Sequence, residues 1–125
     1  MALSQTRSRR KISGGRYRAY RKKILCELGR EPTLTKIGAI RKRSIRVLGG
    51  HMKNILLSSD IANVYDSKEK KYKKVKIKTV LENPANRHFI RRNILTKGTI
   101  IDTDIGKAKI TNRPGQEAGI NAVLV

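Results

Sequence analysis

Tyr72-Lys73-Lys74-Val75-Lys76-Ile77-Lys78-Thr79-Val80-Leu81 sets apolar or small residues against lysine at a period of two. Successive side chains of a strand point to opposite faces. Val75, Ile77, Thr79 and Leu81 are therefore expected to line a core, with Lys74, Lys76, Lys78 and Val80 on the other face. A helix would scatter this pattern round its circumference, so the stretch reads as a half-buried β-strand. Just upstream, residues 61–65 form a second β-type run, and the polar turn Asp66-Ser67-Lys68-Glu69-Lys70-Lys71 separates the two. Together they predict an antiparallel hairpin.

Working outward, further short runs fit the same class. Residues 53–57 precede Ser58-Ser59-Asp60, and Thr33-Leu34-Thr35-Lys36-Ile37 alternates after the turn Arg30-Glu31-Pro32. In Arg41-Lys42-Arg43-Ser44-Ile45-Arg46-Val47-Leu48, closed by Gly49-Gly50, Arg43, Ile45 and Val47 would share one face and Lys42, Ser44, Arg46 and Leu48 the other. Such a strand can rest on a core and present cations outward. Residues 99–105 and 107–111 read as strands joined at Gly106. Asn112-Arg113-Pro114-Gly115-Gln116 reads as a turn, and Ala122-Val123-Leu124-Val125 as a last strand tied into the sheet. The exception is Asn83-Pro84-Ala85-Asn86-Arg87. Asn83 suits an N-cap and Pro84 the first helical position, predicting a short helix through Arg92 with Ala85, Phe89 and Ile90 inward. Arg87 and Arg91, four apart, would share its outer face with Arg92 close by, and like charges at that spacing favour a helix only if a polyanion meets them.

The expected fold is mainly β: a small barrel-like or sandwich core of short antiparallel strands, one short helix and an extended basic N-terminal arm. Its 125 residues fit one domain, 24–125, after an arm over 1–23. With one Phe, four Tyr and no Trp, the core must be aliphatic.

Charge carries the functional signal. Thirty Lys and Arg against nine Asp and Glu leave a net charge of +21 at pH 7. Such a surplus repels itself unless a polyanion neutralises it. Phosphate backbones do so with release of condensed counterions. No amphipathic basic helix with an aromatic face points to a membrane, and no run of about 18 apolar residues spans one. Residues 1–46 hold 15 of the basic residues against only Glu27 and Glu31. The density peaks in Arg7, Arg9, Arg10, Lys11, Arg16, Arg18, Arg21, Lys22 and Lys23, interrupted by Ser13-Gly14-Gly15 and interleaved with Tyr17 and Tyr20. Paired glycines favour turns, so the arm reads as extended or disordered in isolation. Aromatic rings among arginines suit stacking on bases and pairing with phosphate. The expected RNA contacts are those eleven arm residues together with Arg41, Lys42, Arg43, Arg46, Lys53, Arg87, Arg91, Arg92, Lys97 and Arg113.

Catalytic patterns are missing. There is no Gly-rich phosphate loop ending in Lys-Ser or Lys-Thr and no nucleophile elbow. His51 and His88 are the only histidines. Asp102 and Asp104 share a strand face without a third ligand, so neither a metal nor any other cofactor is expected. Cys26 is the single cysteine; it permits no internal disulfide and, within Ile24-Leu25-Cys26-Glu27-Leu28, is expected to be a buried, inert thiol. The opening Met1-Ala2-Leu3-Ser4-Gln5 does not read as a signal peptide.

The ordered motifs bear a family resemblance. Lys11-Ile12-Ser13-Gly14-Gly15-Arg16, Gly29-Arg30-Glu31-Pro32 and Arg46-Val47-Leu48-Gly49-Gly50 resemble elements of the archaeal and eukaryotic-type small-subunit ribosomal protein eight, a family distinct from the bacterial protein of that number. The C-terminal half is more specific: residues 83–87, Arg91-Arg92-Asn93-Ile94, Thr96-Lys97-Gly98 and Arg113-Pro114-Gly115-Gln116 all resemble that family, in order. The chain departs from it at Leu48 and His51-Met52, where basic residues and Asn are usual. It also lacks the insertion that eukaryotic members carry before the Arg-Pro-Gly-Gln turn, and so resembles an archaeal member. The resemblance implies a β-barrel-like core, no enzymatic activity, a cytoplasmic place in the small ribosomal subunit, and small-subunit ribosomal RNA and neighbouring ribosomal proteins as partners, with no small-molecule substrate. The rival readings are a ribosome-biogenesis factor bound only to precursor particles and a nucleic-acid-processing enzyme.

Overall fold

The structure is a computed structural model that describes residues 3–125, so the first two residues of the basic arm lie outside it. The chain divides into two compact units, Met1–Pro32 and Thr33–Val125.

The second unit is built round a closed barrel. Its strands are β1 (Arg41–Arg46), β2 (Met52–Ser58), β3 (Ile61–Asp66), β4 (Lys71–Glu82), β5 (Ile100–Thr103), β6 (Gly106–Ile110) and β7 (Asn121–Leu124), with one α-helix, α1 (His88–Arg91), between β4 and β5. Strands β3-β4-β5-β6-β7 close on themselves, while β1 and β2 form a separate two-stranded sheet. The expected hairpin is β3–β4, antiparallel from Ile61 opposite Lys76 to Asp66 opposite Lys71. Closure comes from β7, which pairs antiparallel with β6 and parallel with β3. Closing the sheet removes the exposed edges that β-proteins must otherwise protect.

The core is aliphatic, as the composition requires. Val64, Ile77, Ile101, Ala108, Ile110, Ile120 and Ala122 fill the interior, with Leu56 and Leu95 entering from outside the barrel strands. Burying each large aliphatic side chain contributes roughly 1.5–3 kcal/mol.

β4 corrects the simple alternation. Val75 and Ile77 are buried, but Lys78 and Thr79 are both exposed, and the inward residue is then Val80 rather than Thr79 or Leu81. The register with β5 slips between Ile77 and Thr79 and again between Val80 and Glu82. A bulge adds a residue and bends the strand. Here it lets one 12-residue strand pair with β3 over its first half and with β5 over its second.

Three further expectations are corrected. Residues 33–37 make no regular strand; Lys36 instead bridges Ser58 on one side and Ile94 on the other. The helix begins later than Pro84, because the Asn83 and Asn86 side chains accept from the Ala85 and His88 amides (3.0 and 2.9 Å) and each closes an Asx turn. Ala85 consequently stays exposed, while Ile90 packs against the core. Asn93 ends the helix at φ +50°. The Asn93 amide donates to Ile90 O and the Ile94 amide to Phe89 O, both at 3.0 Å, which completes a Schellman motif.

In the first unit, residues 24–28 fold into a single 3₁₀ turn over Leu25–Glu27 rather than a core segment. Cys26 is exposed, contrary to the buried thiol expected. The run is too short to bury both of its faces.

Candidate nucleic-acid interface

In the first unit, Gly14 takes φ +84°, a conformation suited to glycine, and turns the chain back on itself. The Lys11 amide donates to Gly15 O (2.8 Å), the Tyr17 amide to Arg9 O (2.8 Å) and Arg10 Nη1 to Gly14 O (3.0 Å). The Ser-Gly-Gly-Arg motif is thus the tip of a small hairpin-like loop studded with cations. Arg7 lies 4.0 Å and Lys11 5.6 Å from the Tyr17 ring centroid, and Arg21 lies 5.0 Å from that of Tyr20. These contacts hold the guanidinium groups against aromatic faces. Arg21 also pairs with Glu27, whose hydrogen bond raises the Arg21 pKa further above its ordinary value. Arg9, Arg16, Arg18 and Lys22 are exposed.

In the second unit the predicted cations fall into two groups. Arg41, Lys42, Arg43 and Arg46 stand on β1, all exposed, with Ile45 half-buried between them. Ser44 and Arg46, opposite the exposed Asn54 and Met52, lie on an open face, whereas Lys42, itself exposed, stands opposite the buried Leu56. This is the two-faced strand that the sequence suggests. Arg87, Arg91 and Arg92 stand on and beside α1 and are exposed, as are Lys97 and Arg113. Lys36 links the groups. Arg41 pairs with Ser58, Ser58 with Lys36 and Lys36 with Ile94, a ladder roughly 14 Å wide at ordinary strand spacing. The start of β1 and the end of α1 therefore border one basic region.

Buried polar groups hold this region in place. Thr35 Oγ1 donates to Leu56 O (2.7 Å), and Thr35 O accepts from the Leu95 amide (2.8 Å). Asn83 Nδ2 donates to Ile94 O (3.3 Å), and Asn83 Oδ1 accepts from the Thr96 hydroxyl (3.2 Å). The Arg-Pro-Gly-Gln turn is an anchor too. Pro114 is fully buried and its carbonyl accepts from the Leu56 amide (3.1 Å).

Lys53 differs from the other predicted contacts. It is half-buried and its ammonium donates to Gln116 Oε1, so it ties β2 to that turn. The ion pairs of this unit are Lys73 with Asp66 and Glu69 and Lys78 with Asp104. Glu69, 2.7 Å from Lys73, raises the pKa of that lysine. A raised lysine pKa contributes stability below the ordinary lysine range that is lost only as pH rises through the folded-state value. Arg41, Lys42, Arg43, Arg46, Arg87, Arg91, Arg92, Lys97 and Arg113 have no acidic partner among the described residues. No group of three or more potential metal ligands occurs among those residues either. The expected RNA contacts leave out Lys74, Lys76, Lys107 and Lys109, which are all exposed on the barrel's outer face. Their alternation with Val75, Ile77, Ala108 and Ile110 was the signal that could have found them.

This arrangement of exposed, unpaired cations suits docking on a polyanion. The chain is 52% identical over 125 residues to the small ribosomal subunit protein eS8 of Picrophilus torridus, covering all of both chains. It is 53% identical over 121 residues to eS8 of Methanocella arvoryzae, covering 97% of each, and 52% over 123 residues to that of Methanocorpusculum labreanum, covering 98% of each. The family model described as Ribosomal protein S8e matches residues 4–125, and the chain belongs to that family.

Proposed function

We propose that this protein is a structural constituent of the cytoplasmic small ribosomal subunit that binds ribosomal RNA, and that it is not an enzyme. The observation that carries the reading is the full-length similarity to proteins named as small-subunit components. The unneutralised arginines and lysines on β1 and round α1 supply the means. Arg41, Lys42, Arg43, Arg46, Arg87, Arg91, Arg92, Lys97 and Arg113 meet phosphates from the barrel side, with Lys53 holding β2 in position. The arm, residues 1–23, orders between RNA segments through Arg7, Arg9, Arg10, Lys11, Arg16, Arg18, Arg21, Lys22 and Lys23, with Tyr17 and Tyr20 stacking. Recognition is mainly of phosphate and shape, and neighbouring ribosomal proteins complete the environment.

Filter binding of the purified protein to small-subunit ribosomal RNA over a salt series tests this. Log affinity should fall linearly with log salt, with a slope of several units in keeping with many phosphate contacts. Salt-independent binding, or equal binding to duplex DNA and ribosomal RNA, would contradict it.

A further inference from the structure

The barrel's outer face carries a second feature, separate from the basic region round β1 and α1. Across β4, β3, β7 and β6 the pairing aligns Tyr72 with Tyr65, Tyr65 with Val123 and Val123 with Lys109. The adjoining row runs from Lys74 through Asn63 to Asn121, whose carbonyl accepts from the Thr111 amide and hydroxyl. Beyond it Lys76 stands opposite Ile61. Of these, Asn63, Tyr65, Tyr72, Thr111, Asn121 and Val123 line a shallow groove on the sheet surface.

Three properties mark this face. Tyr72 is 74% exposed although it touches Tyr65, ring centroids 4.9 Å apart at 46°. A cross-strand aromatic pair stabilises a hairpin, but that role needs no ring so open to water. Secondly, Asn63 Nδ2 donates to Asn121 Oδ1 (3.3 Å), which leaves Asn63 Oδ1 and Asn121 Nδ2 as an adjacent acceptor and donor. That pair matches the mixed donor–acceptor edge of a nucleobase. Thirdly, Lys74, Lys76 and Lys109 flank the rows without an acidic partner, and no Asp or Glu stands among these outward residues. Glu117, in the preceding loop, accepts from Asn112 Nδ2 (2.7 Å).

We propose that this face binds an unpaired RNA base, stacked on Tyr72 with its edge at Asn63 and Asn121 and its neighbouring phosphates at Lys74, Lys76 and Lys109. Open aromatics on a sheet bordered by lysines are how proteins hold single-stranded RNA in general. Positive charge without carboxylates favours RNA over a protein surface as the occupant. The inference rests on the RNA-bound reading above but concerns a single-stranded element, where that reading concerns helices and phosphates.

The chain has no Trp and four Tyr, at 17, 20, 65 and 72. A Tyr17→Phe/Tyr20→Phe background therefore confines tyrosine emission to this face. Titration with a short single-stranded oligoribonucleotide should quench that emission. In the same background, Tyr72→Ala should weaken binding about tenfold to a hundredfold, the range for loss of one base stack. Tyr72→Phe should bind within about twofold of the parent, since its ring still stacks. Equal affinity of Tyr72→Ala and the parent would overturn the proposal, as would a loss in Tyr72→Phe as large as that in Tyr72→Ala. Binding of small-subunit RNA helices with the usual salt slope but no quenching by the single strand defeats this site alone. Binding of neither defeats the broader reading as well.

Discussion

Asn93 ends α1 because a residue at φ +50° must tolerate the left-handed region, and Asn does so better than most. Asn93→Gly should leave stability within about 0.5 kcal/mol. Asn93→Val, which puts a β-branched side chain into that conformation, should cost about 1–3 kcal/mol. Urea unfolding followed by circular dichroism measures both, and equal stabilities would show that the cap is not what stops the helix. Ile101 is fully buried at the centre of the aliphatic core. Ile101→Ala should destabilise by about 2–5 kcal/mol in the same experiment. Both residues were legible only in part. The period of two marks Ile101 as inward, whereas nothing local to Arg91-Arg92-Asn93-Ile94 separates an arginine helix continuing from one about to end.

At the scale of elements, β1 is the clearest test of which cations matter. Lys42 and Arg46 are both exposed on it, while Ile45 is half-buried. Alanine at each should lower the salt slope of RNA binding by about 0.7–0.9, with stability changed by no more than about 0.5 kcal/mol. An unchanged slope would mean that these cations meet no phosphate. The same element shows what a sequence can and cannot reveal. The two faces of β1 and the β3–β4 hairpin follow from alternation alone. The slip at Lys78 and Thr79 does not, because a bulge is required by closure onto β5, a partner about 20 residues away in sequence. The parallel pairing of β3 with β7 is likewise a property of the closed sheet, invisible to any short window. Lys53 is expected as an RNA contact, and its hydrogen bond to Gln116, 63 residues further on, is likewise invisible to a short window. Cys26 differs from expectation because four apolar residues in a run of five suggest burial, whereas Ile24, Leu25 and Cys26 all stay exposed.

At the scale of the whole molecule, one charge distribution governs two opposing salt responses. A net charge of +21 repels itself in the free protein, so added salt should raise the melting temperature by screening. The same salt should weaken RNA binding by removing the gain from counterion release. Melting curves and filter binding over one salt series test both, and a melting temperature that falls with salt would show that self-repulsion does not limit the free fold. The central claim, that the protein is a resident of the small ribosomal subunit held largely by phosphate contacts, is tested most directly by sedimenting a cell extract through sucrose gradients of rising salt and following this chain. The chain should travel with mature small subunits and leave them only at high salt. A protein found at the top of the gradient at low salt, or only with precursor particles, would contradict it.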